Sequence, residues 1–158
     1  MSHSKEVTEY KRKLIYAIKN SAEIVNAIGE PDITVDNSDD LINLCLFDYN
    51  KIPSVQETAR TYITIQVNVP RIDKDSIWRE TVVVIRTIVH DSKMDLSGKG
   101  NRMDYISSQL DELLSGREDF GYGRLLIASN VEGAINEKFM ARTMTFTSTN
   151  NNMSFCGN

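Results

Sequence analysis

Two histidines, two cysteines and a few short clusters of carboxylates and cations are the residues of this chain whose types and spacing could support chemistry. His3 and His90 cannot make a conventional metal site together, because His3 lies in a terminal stretch expected to fray and such a site needs several imidazole or thiolate ligands. His90-Asp91 has the composition of a general-base pair. Adjacent residues of a strand point to opposite faces, so the expectation is a strand-end histidine at the sheet margin. A nucleophilic Cys45 would need His90 beside it. Its neighbours Leu44 and Leu46 instead predict a buried, inert thiol.

The carboxylates lead to the same place. Asp36, Asp39 and Asp40 are close enough in sequence to hold a divalent cation. An EF-hand loop needs glycine at its sixth position, and counting from Asp36 that position is Leu41, which leaves a solvated acidic loop. Asp91, Lys93 and Asp95 loosely match the carboxylates and lysine of a metal-dependent nuclease, but they crowd into one polar connection. Gly98-Lys99-Gly100 lacks the first glycine and the Ser/Thr of a phosphate-binding loop. Gly121-Tyr122-Gly123 leads into a strand, so it is no dinucleotide fingerprint. Lys11-Arg12-Lys13 reads as a solvated helix face or, more pointedly, as a small partner-contact patch. The expectation is therefore no catalytic residue, no metal and no cofactor.

Composition sets the frame around these residues. In 158 residues there are 18 Lys and Arg against 22 Asp and Glu, a net charge of -4. That balance argues against binding nucleic acid through a broad basic face, and against a polybasic membrane binder. No apolar run approaches the roughly 20 residues of a membrane-spanning helix. The start of the chain, Met1 to Glu6, has no apolar core, so no secretory signal is expected. Two isolated thiols, Cys45 and Cys156, suggest synthesis in a reducing compartment without a structural disulfide.

The elements that position these residues follow from periodicity. Tyr10, Leu14, Ala17, Ile18, Ser21, Val25 and Ile28 recur at helical steps and predict one helix from about Lys5 to Ile28, stopped by Gly29 and Pro31. Glu30–Pro53 is irregular and acidic; within it Leu41–Phe47 is apolar enough for a short helix or strand. Thr61–Val69 alternates as a half-buried strand. Glu80–His90 is apolar on both faces in its first half and should lie centrally. Arg71–Arg79 joins the two as a polar hairpin loop. After the polar link His90–Gly100, a helix should run from Asn101, its N-cap, to about Leu114. Strands at Gly123–Asn130 and Lys138–Thr149 complete the chain. The predicted fold is α+β, an antiparallel sheet of four or slightly more strands with two main helices on one face, in the order α-β-β-α-β-β. Residues 1–149 would form one domain and residues 150–158 a flexible tail.

In this layout the sequence resembles the tail-terminator and tail-completion proteins of tailed bacteriophages. The resemblance is carried by the helix ending at Ile28-Gly29, the hairpin Thr61–Val69 with Thr81–His90, and the helix opening Arg102-Met103-Asp104-Tyr105-Ile106, an Arg-x-Asp-x-Ile start. It is completed by the closing strand with Arg142 and Phe146. It spans about Lys5 to Asn150. It implies a ring, usually hexameric, at the head-proximal end of the tail, which stops tube growth and offers the head its docking surface. The implied partners are further copies of the chain, the tail tube protein, possibly a sheath, and a head-completion or connector protein. DNA would pass through without specific binding, which the mild acidity suits, and no membrane is involved. Assembly would take place in the bacterial cytoplasm. Contacts with neighbours are expected at Arg71, Trp78 and Arg79, at Lys11, Arg12 and Lys13, and at Phe155 in the tail, since Trp and Arg are enriched at interface hot spots. The alternatives are another neck component, such as a stopper, or a small nuclease using Asp91, Lys93 and Asp95.

Overall fold

The computed structural model of the protein describes residues 3–70, 78–119 and 124–151. Helix α1 (His3–Lys19) buries Tyr10, Leu14, Ala17 and Ile18 along one stripe, as the periodicity requires. The single helix expected to Ile28 is broken at Asn20. Ser21 is not part of the stripe. It is the N-cap of a second helix, α2 (Ala22–Ile28), and its hydroxyl oxygen accepts the Ile24 N–H at 3.4 Å. A serine that competes for backbone hydrogen bonds starts a new helix more readily than it continues an old one. Helix α2 ends as expected at Gly29, which takes the left-handed conformation at φ +72° and donates its N–H to Val25 O.

The irregular segment resolves into a 3-10 turn (Val35–Leu41) and a two-residue strand, β1 (Leu46–Phe47). The remaining elements are β2 (Thr61–Asn68), β3 (Trp78–His90), a 3-10 turn (Asp91–Lys93), the short strands β4 (Asp95–Leu96) and β5 (Gly100–Asn101), helix α3 (Arg102–Leu114), β6 (Leu126–Ala134) and β7 (Phe139–Asn151). Trp78 and Arg79, expected in a loop, open β3 opposite Asn151 and Asn150, so β7 runs two residues into the stretch expected to be a tail. Strand β6 also starts and ends later than expected. Its turn is fixed by Asn136, whose side-chain oxygen accepts the N–H groups of Lys138 and Phe139 at 2.9 and 3.0 Å.

The main sheet has the order β1-β2-β3-β7-β6. Strand β3 is central, as its apolar sequence predicted, and every pairing is antiparallel except β1 with β2. Helices α1, α2 and α3 lie on one face. Leu14, Ile18, Ile63, Ile85, Ile106 and Phe146 meet there at 0% exposure, each stabilising the fold by about 1.5–3 kcal/mol in transfer terms. The α+β class is thus correct, with a fifth, parallel strand and a divided first helix.

Strand β2 departs from the half-buried pattern. Tyr62 and Thr64 face away from the helices and are nevertheless buried. Tyr62 belongs to a second apolar cluster with Phe47, Ile88, Phe139 and Ala141. The chain after β1 covers this cluster. Lys51 stands over the rings of Phe47 and Tyr62, the Tyr62 hydroxyl donates to Thr58 O at 3.0 Å, and Asn136 donates to Pro53 O at 2.9 Å. The irregular segment therefore passes from the helical face of the sheet to the other face.

Candidate assembly surfaces and a cationic cleft

The three residues of the basic run on α1 have different fates. Lys13 donates to Asp119 O at 2.7 Å and lies 3.8 Å from Glu9, so it ties the helix to the segment after α3. Arg12 is exposed, and among the described residues it has no ion-pair or hydrogen-bond partner. Lys11 and Arg12 border a groove of about 520 Å³ between α1 and the β1 edge, with Val7, Ile15, Ile42 and Leu46 on its walls and Asp48 at its rim. On the other side of Arg12 a shallower groove is lined by Tyr16, Arg117 and Asp119. There the Arg117 guanidinium clasps the Asp119 carboxylate at 2.9 and 2.7 Å and holds it below the usual carboxylate range. Of the other expected contact residues, Trp78 and Arg79 lie at the start of the central strand, while Arg71 and Phe155 lie outside the described residues.

At the opposite edge of the sheet, β6 is exposed at all nine positions. Leu126 and Val131 are 57% and 60% exposed. The strand Leu-Ile-Ala-Ser-Asn-Val-Glu-Gly-Ala carries one charge, no lysine and no proline, and among the described residues no strand lies beside its outer edge. Natural sheets usually blunt such an edge, so a long bare one marks a place where another chain can be met.

The residues searched for catalysis stay apart or take structural roles. Cys45 is fully buried, and its thiol is pushed up from 9.0 to about 12 by burial and then by the neighbouring Glu30 carboxylate, which accepts its S–H at 3.6 Å. The burial expected of Cys45 is thus observed. His90 and Asp91 do meet, contrary to the alternation argument, because the strand ends at His90 and the chain turns. Nδ1 is 3.0 Å from the Asp91 carboxylate and accepts the Ser92 N–H, capping the 3-10 turn, while the ring packs edge-on against Phe139. Asp39 is paired with Lys19, and Asp36 and Asp40 are exposed. Gly98, at φ +78°, lies in the turn between β4 and β5, and Gly100, at φ +82°, opens β5 opposite Leu96. Gly121-Tyr122-Gly123 lies outside the described residues. Among the described residues no cluster of three or more His, Cys, Asp or Glu is placed to hold a metal ion, Asp91 and Asp95 included.

The organiser of the Asp91–Asp95 region is Arg102, which the sequence reading quoted only as part of a helix start. Its Nε donates to Lys93 O at 2.7 Å, one Nη donates to Ala27 O at the end of α2, and the other to Asp95 O at 3.4 Å. Burial lowers its pKa from the ordinary value. Beside it, Arg60 pairs with Glu30 at 3.2 Å. Arg60, Thr61, Lys93 and Arg102, with Gly29 and Glu30, line a cleft of about 280 Å³. No sequence motif joins these positions, since the topology alone brings them together.

The family model YomW matches residues 12–148, nearly the whole described fold. The chain belongs to the YomW family. That family is phage-derived. None of the curated proteins matches its sequence. Among solved structures, this YomW-family chain is similar to a chain of the "Virion of native gene transfer agent (GTA) particle", with a TM-score of 0.60 and 12% identity, covering 94% of this chain and 98% of that one. At that identity the likeness establishes a shared fold. Among the described residues no helix is long and apolar enough to cross a membrane.

Proposed function

We propose that this protein is a structural component of a phage-type virion that acts as a subunit of a hexameric ring at the head-proximal end of the tail. The ring stops growth of the tail tube and supplies the surface on which the head is joined. The role is geometric and uses no bond chemistry. The observation that carries this reading is the end-to-end fold correspondence with a chain of a gene transfer agent virion, covering 94% and 98% of the two chains. Membership of a phage-derived family supports it.

The distribution of uncovered surface supports the ring in particular. The α1–β1 groove with Arg12 and the bare edge of β6 are unlike surfaces at opposite edges of one sheet. Unlike patches on opposite sides of a subunit give heterologous contacts, which close into a ring when the rotation allows. The expected partners are further copies of the chain, the tube protein and a head-side connector.

The test is deletion of the gene from the phage or prophage that carries it, followed by electron microscopy of the lysate. A terminator predicts tails of unregulated length and unjoined filled heads, restored by the wild-type chain in trans. Normal-length tails joined to heads would overturn the reading. Filled heads that leak DNA beside tails of normal length would instead indicate a head-side stopper.

A further inference from the structure

We propose that the cleft formed by Arg60, Thr61, Lys93 and Arg102 is a binding site for a phosphate-class oxyanion. The inference is independent of the ring.

The charge in the cleft is uncompensated. Three cations and one carboxylate line it, and that carboxylate, Glu30, is already engaged with Arg60 and the Cys45 thiol. The Arg102 guanidinium is partly buried and held by three backbone carbonyls. Asp95 is near enough to favour its charge but is not paired with it. Among the described residues the Lys93 ammonium has no partner, and Lys93 is exposed at the mouth. A partly desolvated guanidinium without a paired counter-ion is costly unless an anion supplies the missing charge.

The hydrogen bonding is incomplete in the same place. Arg60 Nε and Thr61 Oγ1 are buried without partners, and Thr61 is 1% exposed. Buried polar atoms are normally satisfied, so two orphans on residues that line one cleft point to a missing ligand that would be reached with a small side-chain adjustment. Guanidinium, ammonium and hydroxyl groups are donors in search of an acceptor with several oxygens. A phosphate group provides these, and a guanidinium recognises it in a planar, forked geometry. The volume of about 280 Å³ admits a tetrahedral anion.

Such a group can come from free inorganic phosphate or from a nucleic-acid backbone. The net charge of -4 opposes a broad nucleic-acid face but not one discrete anion site. Calorimetry and thermal melts at constant ionic strength, on the full-length chain, distinguish these sources. Inorganic phosphate, a short DNA oligonucleotide and acetate are titrated separately into wild type, Thr61→Val and Lys93→Ala. Thr61→Val removes a hydroxyl that already lacks a partner, and Lys93→Ala removes an exposed ammonium, so neither should lower the Tm in chloride. Phosphate is expected to bind wild type one-to-one and raise its Tm, with affinity falling about five- to tenfold in each variant. The same losses with the oligonucleotide alone would support the site and name the backbone as its source. No binding of either, binding untouched by both variants, or acetate binding as tightly as phosphate would overturn the assignment.

Discussion

Arg142 of β7 donates to the carboxylate of Asp104, in the first turn of α3, at 2.9 Å. Its Nη1 also reaches Asn130 on the edge strand at 3.1 Å. One side chain thus fastens the start of the second main helix to two strands of the sheet. Both residues belong to the pattern that carried the family resemblance, so at least part of that pattern is architectural. Asp104 is about half exposed, which reduces what the pair contributes. A double-mutant cycle with Arg142→Met and Asp104→Asn, read by urea denaturation, should give a coupling of about 0.5–1 kcal/mol. The same cycle on Arg124 and Glu118, exposed at 67% and 68%, should give a coupling near zero. Equal couplings would mean that the helix anchor adds nothing beyond a surface pair.

Gly29 is constrained twice. Its φ is +72°, and a Cβ there would meet Arg102 Nη1 at 2.8 Å. Gly116 has a similar φ of +83° with nothing within 4 Å. Gly116→Ala should cost about 1 kcal/mol for the backbone alone. Gly29→Ala should cost more, by about another 1 kcal/mol, as Arg102 is displaced from Ala27 O. Melting both variants beside wild type checks the difference.

Cys45 should resist iodoacetamide at pH 8 in the native protein and react once urea unfolds it. Its folded pKa of about 12 lies above the unfolded value near 9.0, so the folded state holds the thiol proton when the unfolded chain has lost it. The contribution to stability is complete below pH 9 and is lost progressively as pH rises through 12, by up to about 1.4 kcal/mol per pH unit. Relative to Cys45→Ser, whose hydroxyl does not titrate, wild type should lose stability over that window. Parallel stability curves would contradict this.

Val131→Lys places a charge on the bare strand without touching the core. Monomer stability should stay within about 0.5 kcal/mol of wild type. Tail completion, scored by complementation of the deletion, should fail if β6 meets another chain. Arg12→Glu, on the opposite edge, should behave in the same way. Full complementation by both variants would place the subunit contacts elsewhere.

The parts of the fold that depend on neighbouring residues were legible in the sequence. Gly29 as a C-cap, Asn101 as an N-cap and β3 as the central strand follow from local chemistry and from apolar residues on both faces. Ser21 was misread because a serine at a helical step fits a stripe as well as a cap, and only the Ile24 N–H decides between them. The burial of Tyr62 depends on a segment that crosses the sheet from elsewhere in the chain, which no alternation pattern encodes. The candidate surfaces divide along the same line. The run Lys11–Lys13 was visible, though Lys13 proved to be occupied. The cleft draws on a strand start, a 3-10 turn and a helix start, and nothing in their spacing announces it.

The long pairing of β3 with β7 has a kinetic consequence. Its thirteen residue pairs, from Trp78–Asn151 to His90–Phe139, enclose α3 and all of β6 within the intervening chain. The centre of the sheet therefore cannot form until most of the polypeptide has been made, and contacts so distant in sequence slow folding. Once β7 has been made and until it pairs with β3, the β6–β7 hairpin is available to other chains, so the yield of native subunits should fall steeply with expression rate.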